Sequence, residues 1–299
     1  MVIVDLEKWG PQGTDTAVDQ NFAESYTWRL ATSHYENFPV VSLLIPKPLR
    51  QHFANVYAYC RWADDLGDET GSPEESTQLL HWWRGELRRC YDGHASHPVF
   101  VALRPTIEKF SIPQQPFENL ISAFQQDQTV HEYQTFEQLR DYCRRSADPV
   151  GRIVLHLITT PTEQQLAWSD SICTGLQLAN FWQDVSRDLL MGRIYLPRED
   201  RLRFHYSDED LSARRFTPQF RELMEFQLQR TEEFLHTGQP LTKSLSGRWR
   251  VVVDLFARGG LLVTDAIRSI DYNILKQRPV IHKRQFLIPA LKSMWLNLF

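Results

Sequence analysis

The chain has 299 residues, 42% of them hydrophobic, with 9 Trp, 17 Phe and 10 Tyr, which is ample apolar side chain for a large core. A formal net charge of −4 and the lack of any Lys/Arg-rich tract exclude nucleic acid as the main partner, because binding a phosphate backbone needs clustered cations. Four scattered cysteines, Cys60, Cys90, Cys143 and Cys173, form no CxxC pair, so neither a zinc site nor a disulfide framework is signalled and a reducing cytoplasm fits.

Only 13 Gly and 16 Pro interrupt the chain, and short β-branched runs with regular turn signals are missing. The pattern predicts an all-α protein. Residues 1–20 read as an N-terminal lead-in; Asp5 and Glu7 stand where a secretory signal would have a basic start and an apolar run. After a break at Pro46 and Pro48, helical spacing predicts helices over 49–66, 74–91, 117–128, 136–147, 150–158, 163–190, 218–235 and 249–275. Residues 192–207, rich in Arg and aromatics and holding Pro197, read as a loop over one mouth of the bundle, with a plain solvated loop as the alternative. No solenoid-length repeat or low-complexity linker divides residues 21–285, so one domain is expected there. Residues 286–299 form an apolar tail with Leu291, Met294, Trp295, Leu298 and Phe299 on one helical stripe. That tail is too short to span a bilayer; docking on the protein's own bundle competes with peripheral membrane contact. The location expected is cytoplasmic, either soluble or peripheral at the inner face of the membrane.

Two polar stripes stand out. Tyr57, Arg61, Asp64 and Asp68 are spaced four, three and four residues apart, which at roughly 100° per residue puts them on one narrow face. Gln177, Asn180, Asp184 and Asp188 repeat the arrangement at spacings of three, four and four. Like charges at i, i+4 destabilise an isolated helix by about 0.2–0.5 kcal/mol, so each acid pair asks for a cation. Mg²⁺ fits, since it takes one or two carboxylates together with water and substrate phosphates. A single Asp-x-x-x-Asp is ordinarily a solvated face. Two of them, each beside uncharged hydrogen-bonding groups, suggest carboxylate pairs clamping a metal diphosphate.

These motifs resemble the squalene/phytoene synthase family, which carries one aspartate-rich motif after a Tyr-Ala-x-Cys-Arg run and a second after Gln-x-x-Asn. The matches are residues 57–68, residues 177–188 and Gly192-Arg-Ile-Tyr-Leu-Pro197, and the likeness runs from His34 to about Arg284. The resemblance implies a single-domain, all-α isoprenoid synthase bundle with a central apolar cavity, Mg²⁺ and prenyl diphosphate substrates. It makes Asp64, Asp68, Asn180, Asp184 and Asp188 metal ligands. Tyr57, Arg61, Gln177, Arg193 and Tyr195, with Asn37 and Phe38, become substrate contacts. Tyr142 falls at the family's reaction-centre tyrosine, against the alternative of a buried tyrosine with a satisfied hydroxyl. Phe38, Phe181 and Trp182 are aromatics able to face a carbocation, although most core aromatics serve packing.

The chain also departs from the family pattern. Ser146-Ala-Asp-Pro-Val-Gly151 replaces Val-Ala-Gly-x-Val-Gly, Gln183 stands where many members have Arg, and His34-Tyr-Glu-Asn-Phe-Pro39 replaces a serine-rich stretch. Together these resemble the bacterial hopanoid-pathway branch that converts presqualene diphosphate to hydroxysqualene. Ser146 and Asp148 would hold a water against the cation, or merely brace the helix ahead of Pro149. On this reading NAD(P)H is not required, and no glycine-rich dinucleotide fingerprint is present. Partners would be the prenyl or presqualene diphosphate and downstream pathway enzymes. Head-to-head condensation of two prenyl diphosphates, a non-catalytic prenyl-lipid carrier and a helical scaffold are the alternatives.

Overall fold

The computed structural model describes residues 2–13, 18–33 and 45–279. All regular structure among them is helical, apart from an isolated bridge between Glu132 and Ile194. The helices fall into two compact units, residues 1–129 with 152–160, and residues 130–151 with 161–299.

The first unit holds α1 (Val2–Trp9), α2 (Gln20–Ser33), α3 (Lys47–Asp68), α4 (Pro73–Tyr91), α5 (Pro98–Phe110) and α6 (Gln114–Gln126). The lead-in expected over residues 1–20 contains α1, and α2 follows it with a buried face of Ala23, Tyr26, Thr27 and Leu30. Proline at the first turn starts α3, α4 and α5, where a missing N–H costs nothing. Helix α3 buries Tyr59, Trp62, Ala63 and Leu66 in a core where the Trp62 and Trp83 rings stack with centroids 5.2 Å apart. Two polar tips inside this core are matched: Tyr59 donates to the Phe117 carbonyl at 2.9 Å, and Trp62 donates to the Tyr26 hydroxyl at 3.0 Å, whereas the buried Trp83 indole N–H has no hydrogen-bond partner among the described residues. Asn55, 1% exposed, accepts from Thr27 and donates to the Ala102 carbonyl, tying α2, α3 and α5 together.

The second unit holds α7 (Phe136–Ser146), the start of α8 (Asp148–Ile158), α9 (Glu163–Asp188), a 3₁₀ turn (Leu189–Met191), α10 (Arg198–Arg203), α11 (Asp208–Ser212), α12 (Pro218–Gly238), α13 (Pro240–Ser244) and α14 (Gly247–Ser269). Helix α9 opens on a capping box at Thr162 and Gln165 and packs along α12 and α14. The approach is close because Leu235 of α12 sits between two glycines. A Cβ at Gly175 would lie 2.8 Å from it and one at Gly260 2.9 Å. Trp182, fully buried, donates to Thr231 at 2.8 Å, so it is a packing residue rather than a free aromatic face. The loop expected over 192–207 is real only in part, since α10 forms inside it.

Candidate active site

In the first unit the candidate residues lie along the C-terminal half of α3. Asp64 and Tyr57 are half-buried, and Asp68 is exposed. Burial, and then the neighbouring Asp68 carboxylate, push the Asp64 carboxyl up to about 6, with Arg61 opposing. Burial also raises the Tyr57 phenol above its usual range. Arg61 is not simply presented outward: its guanidinium meets Asp65 at 2.5 Å, Glu69 at 3.4 Å and Asp64 at 3.7 Å. Asp65, 1% exposed, lies off the sequence stripe and was not among the expected residues. Its role here is to anchor Arg61 from beneath.

In the second unit the stripe on α9 is formed as expected, with Gln177, Asp184 and Asp188 half-buried and Asn180 exposed. Burial and the nearby Asp184 push the Asp188 carboxyl up to about 7, against the pull of Arg193. Asp184 has a partner that the sequence did not indicate: Arg278 reaches it through Nε at 2.5 Å and Nη2 at 3.2 Å. The same guanidinium donates to Gln183 Oε1 at 3.3 Å, and Gln183 in turn donates to the Pro279 carbonyl at 2.8 Å. Where the family pattern has an arginine, this chain therefore has a glutamine that seats an arginine arriving from far along the sequence.

Behind Asp188 lies an aromatic cluster. Phe181 and Tyr195 stack at 3.8 Å between centroids, and Tyr142 lies 6.2 Å from Phe181 and 6.3 Å from Tyr195. Tyr133, 5.7 Å from Tyr142 and 5.8 Å from Tyr195, completes it and was not anticipated. The loop carrying Arg193 and Tyr195 is fastened to the chain ahead of α7, as Ile194 N–H donates to the His131 carbonyl and Arg198 N–H to the Tyr133 carbonyl. Ser146 donates to the Tyr142 carbonyl at 2.9 Å, and buried Asp148 accepts from Thr174 at 2.8 Å. Both bonds are of the kind a helix brace makes. Asn37 and Phe38, the His34 to Pro39 lead-in, and the 286–299 tail lie outside the described residues.

Among the described residues no three His, Cys, Asp or Glu side chains converge as a metal cluster. The acids come as pairs, and pairs suit Mg²⁺, which completes its shell with water and substrate oxygens. The raised carboxyls of Asp64 and Asp188 mark like charges held together in half-buried places, which a divalent cation would relieve. A titration follows. Folded carboxyls that hold protons more tightly than the ordinary value of 3.8 favour the fold fully below about 4, and that contribution is lost as pH rises through about 6 and 7. Metal must displace those protons at low pH. The thermal shift produced by Mn²⁺, used without substrate, should therefore grow from pH 5.5 to pH 8. A shift that stays constant over that range would argue against these carboxylates as ligands.

The family model for squalene/phytoene synthase matches residues 31–285. A phytoene synthase of Arthrospira platensis is 31% identical over 84% of this chain and 85% of its own length. A 15-cis-phytoene synthase of Synechocystis sp. is 31% identical over 90% and 83%. Among solved structures, squalene synthase HpnC from Alicyclobacillus acidocaldarius is 42% identical, with a TM-score of 0.82 over 87% of this chain and 98% of that one. A dehydrosqualene synthase in complex with ligand is 22% identical with a TM-score of 0.83 over 94% and 98%, which speaks for the fold. The chain belongs to the squalene/phytoene synthase family.

Proposed function

We propose that this enzyme ionises presqualene diphosphate and that water captures the rearranged carbocation, giving hydroxysqualene and diphosphate. The observation that supports a C30 squalene-type substrate is the 42% identity to squalene synthase HpnC, against 31% or less to the phytoene synthases; water as the final acceptor is inferred from the polar residues Ser146 and Asp148. The departures at Ser146, Asp148 and Gln183 point the same way.

The chemistry needs cations where diphosphate leaves and an apolar, cation-tolerant wall where the carbon skeleton stays. The C–O bond breaks with its electron pair on the diphosphate; water adds to the carbocation and then gives up a proton. Asp64 and Asp68, with Asn180, Asp184 and Asp188, would hold Mg²⁺, which when bound supplies Lewis-acid charge to the departing oxygens. Arg193 and Arg278 bring guanidinium groups to the Asp184 and Asp188 end of α9. The π faces of Tyr133, Tyr142, Phe181 and Tyr195 favour a nearby cation and exclude bulk water. In this reading Asp148 and Ser146 are the polar groups that hold the attacking water, which in an apolar site needs about two to four polar partners.

The second reading, head-to-head condensation of two prenyl diphosphates, is favoured by the 31% identical phytoene synthases. One experiment separates them: presqualene diphosphate in ¹⁸O-labelled water with and without NADPH, and farnesyl diphosphate in a parallel reaction, with products identified by mass. The expected result is an ¹⁸O-labelled C30 alcohol formed regardless of NADPH. Asp148→Gly and Ser146→Val should lower the alcohol fraction. Squalene formed only with NADPH, or condensation of farnesyl diphosphate with no turnover of presqualene diphosphate, overturns the proposal.

A further inference from the structure

Directly after Asp188 the chain makes a single 3₁₀ turn, Leu189–Met191, closed by Gly192 at a φ of +73°. The turn is held at its base: Arg193 N–H donates to the Asp188 carbonyl at 2.8 Å, and Leu189 is half-buried beside Phe181, Val185 and Leu196. Its tip points the other way. Leu190 is 72% exposed and Met191 62% exposed, the two most exposed large hydrophobic residues described, and Leu202 of α10 follows at 59%. A tip that placed leucine and methionine in water for no return would be an odd outcome beside a site built for a C30 hydrocarbon.

Charge around the turn is opposite to that of the whole chain. Residues 187–203 hold five arginines against three acids, Asp188, Glu199 and Asp200, in a protein of net charge −4. Two of these charges are internal, since Asp200 pairs with Arg230 and Arg201 is buried. Arg187, Arg198 and Arg203 are exposed, Arg187 at 3.9 Å from Asp184 and Arg198 at 3.9 Å from Asp208, both longer than a hydrogen bond.

We propose that the Leu190–Met191 tip is a membrane prong, inserted among the acyl chains of an anionic bilayer while the surrounding arginines meet its headgroups. A protein partner is the poorer fit, because stable interfaces bury roughly 1,200–2,000 Å² and two side chains on a convex turn cannot provide it. A bilayer rewards each inserted apolar side chain separately, and basic residues beside it add attraction to anionic lipid. The inference rests on the proposed function only in that a greasy substrate or product has reason to pass between bilayer and site.

The test is sedimentation of the full chain with sucrose-loaded vesicles of phosphatidylcholine alone and of phosphatidylcholine with phosphatidylglycerol at 7:3. Wild type should pellet with the anionic vesicles. Leu190→Ser together with Met191→Ser should lower the partition coefficient about tenfold or more, from the lost transfer of two apolar side chains. Arg187→Gln together with Arg198→Gln should weaken binding to the anionic vesicles alone, and added salt should do the same. Turnover of presqualene diphosphate in detergent micelles should stay at the wild-type level in the Leu190/Met191 variant. Pelleting of that variant equal to wild type, or wild type remaining in the supernatant with both vesicles, overturns the prong. Absence of wild-type turnover in micelles would overturn the proposed reaction and leave the vesicle result standing on its own.

Discussion

Asp184→Ala and, separately, Asp64→Ala should each lower turnover by about 10²–10³-fold or more, the scale on which a group acting on transition-state charge is felt, while the far-UV helical signal is retained. Each change removes one member of a carboxylate pair whose other member is still in place. For Asp64 the change is local, since the residue is half-buried on α3 and Arg61 keeps its stronger contact with Asp65 at 2.5 Å. For Asp184 it is less simple, because alanine there also releases Arg278. Arg278→Gln is the control that separates the two effects. It should leave Mn²⁺ binding intact, or strengthen it by removing a competing cation from Asp184, whereas Asp184→Ala should weaken it. Calorimetric titration with Mn²⁺ in the absence of substrate reads this directly. Full turnover of either alanine variant in chelator-treated buffer would rule out a metal held by these carboxylates.

Both stripes were legible in the sequence because a helix fixes which residues share a face, and α3 and α9 are long, regular helices in which spacing alone sets that face. What was missed has physical reasons. The helical spacing predicts no helix between 91 and 117, where Pro105 interrupts the chain; the structure starts α5 with His97 accepting from the Val99 N–H and Pro98 in the first turn, and tolerates the interior proline. The expected helix over 249–275 stops early at Ser269, because Asp271 and Tyr272 adopt left-handed φ values of 52° and 63°. Neither is glycine, so no residue type announced the stop. Asp65 escaped notice because the stripe defined the site, and its job is to hold Arg61 from inside the core. Arg278 could not have been found by spacing at all: it joins Asp184 across 94 residues, and only the tertiary fold brings a distant cation to the gap that Gln183 leaves.

The loop bearing Arg193 and Tyr195 owes its position to a residue that touches no substrate, and Arg201→Ala should show it. Arg201 is 1% exposed, and its guanidinium is a three-way connector. Nε donates to the Leu196 carbonyl at 3.2 Å, Nη1 to Asp208 and Nη2 to Glu132. It thus joins the loop, the start of α11 and the chain ahead of α7. Charge-assisted hydrogen bonds contribute about 1.5–3 kcal/mol each. Asp208 and Glu132 have access to water, with side chains 59% and 36% exposed, so losing Arg201 does not strand two buried charges and the full sum does not apply. A net loss of about 3 kcal/mol is expected, which in a chain of this size lowers the melting temperature by about 6–12 °C. Lysine should recover less than half, because one ammonium cannot reproduce a planar fork reaching three acceptors. The functional consequence is a fall in kcat larger than any rise in KM: loosening this connector lets Tyr195 drift from its 3.8 Å stack on Phe181 and Arg193 from Asp188, while the carboxylates of α3 and α9 stay in place. A melting temperature within 2 °C of wild type, or a kcat that does not change while the melting temperature falls, would show that the loop is held by its backbone bonds to His131 and Tyr133 and that Arg201 is dispensable to it.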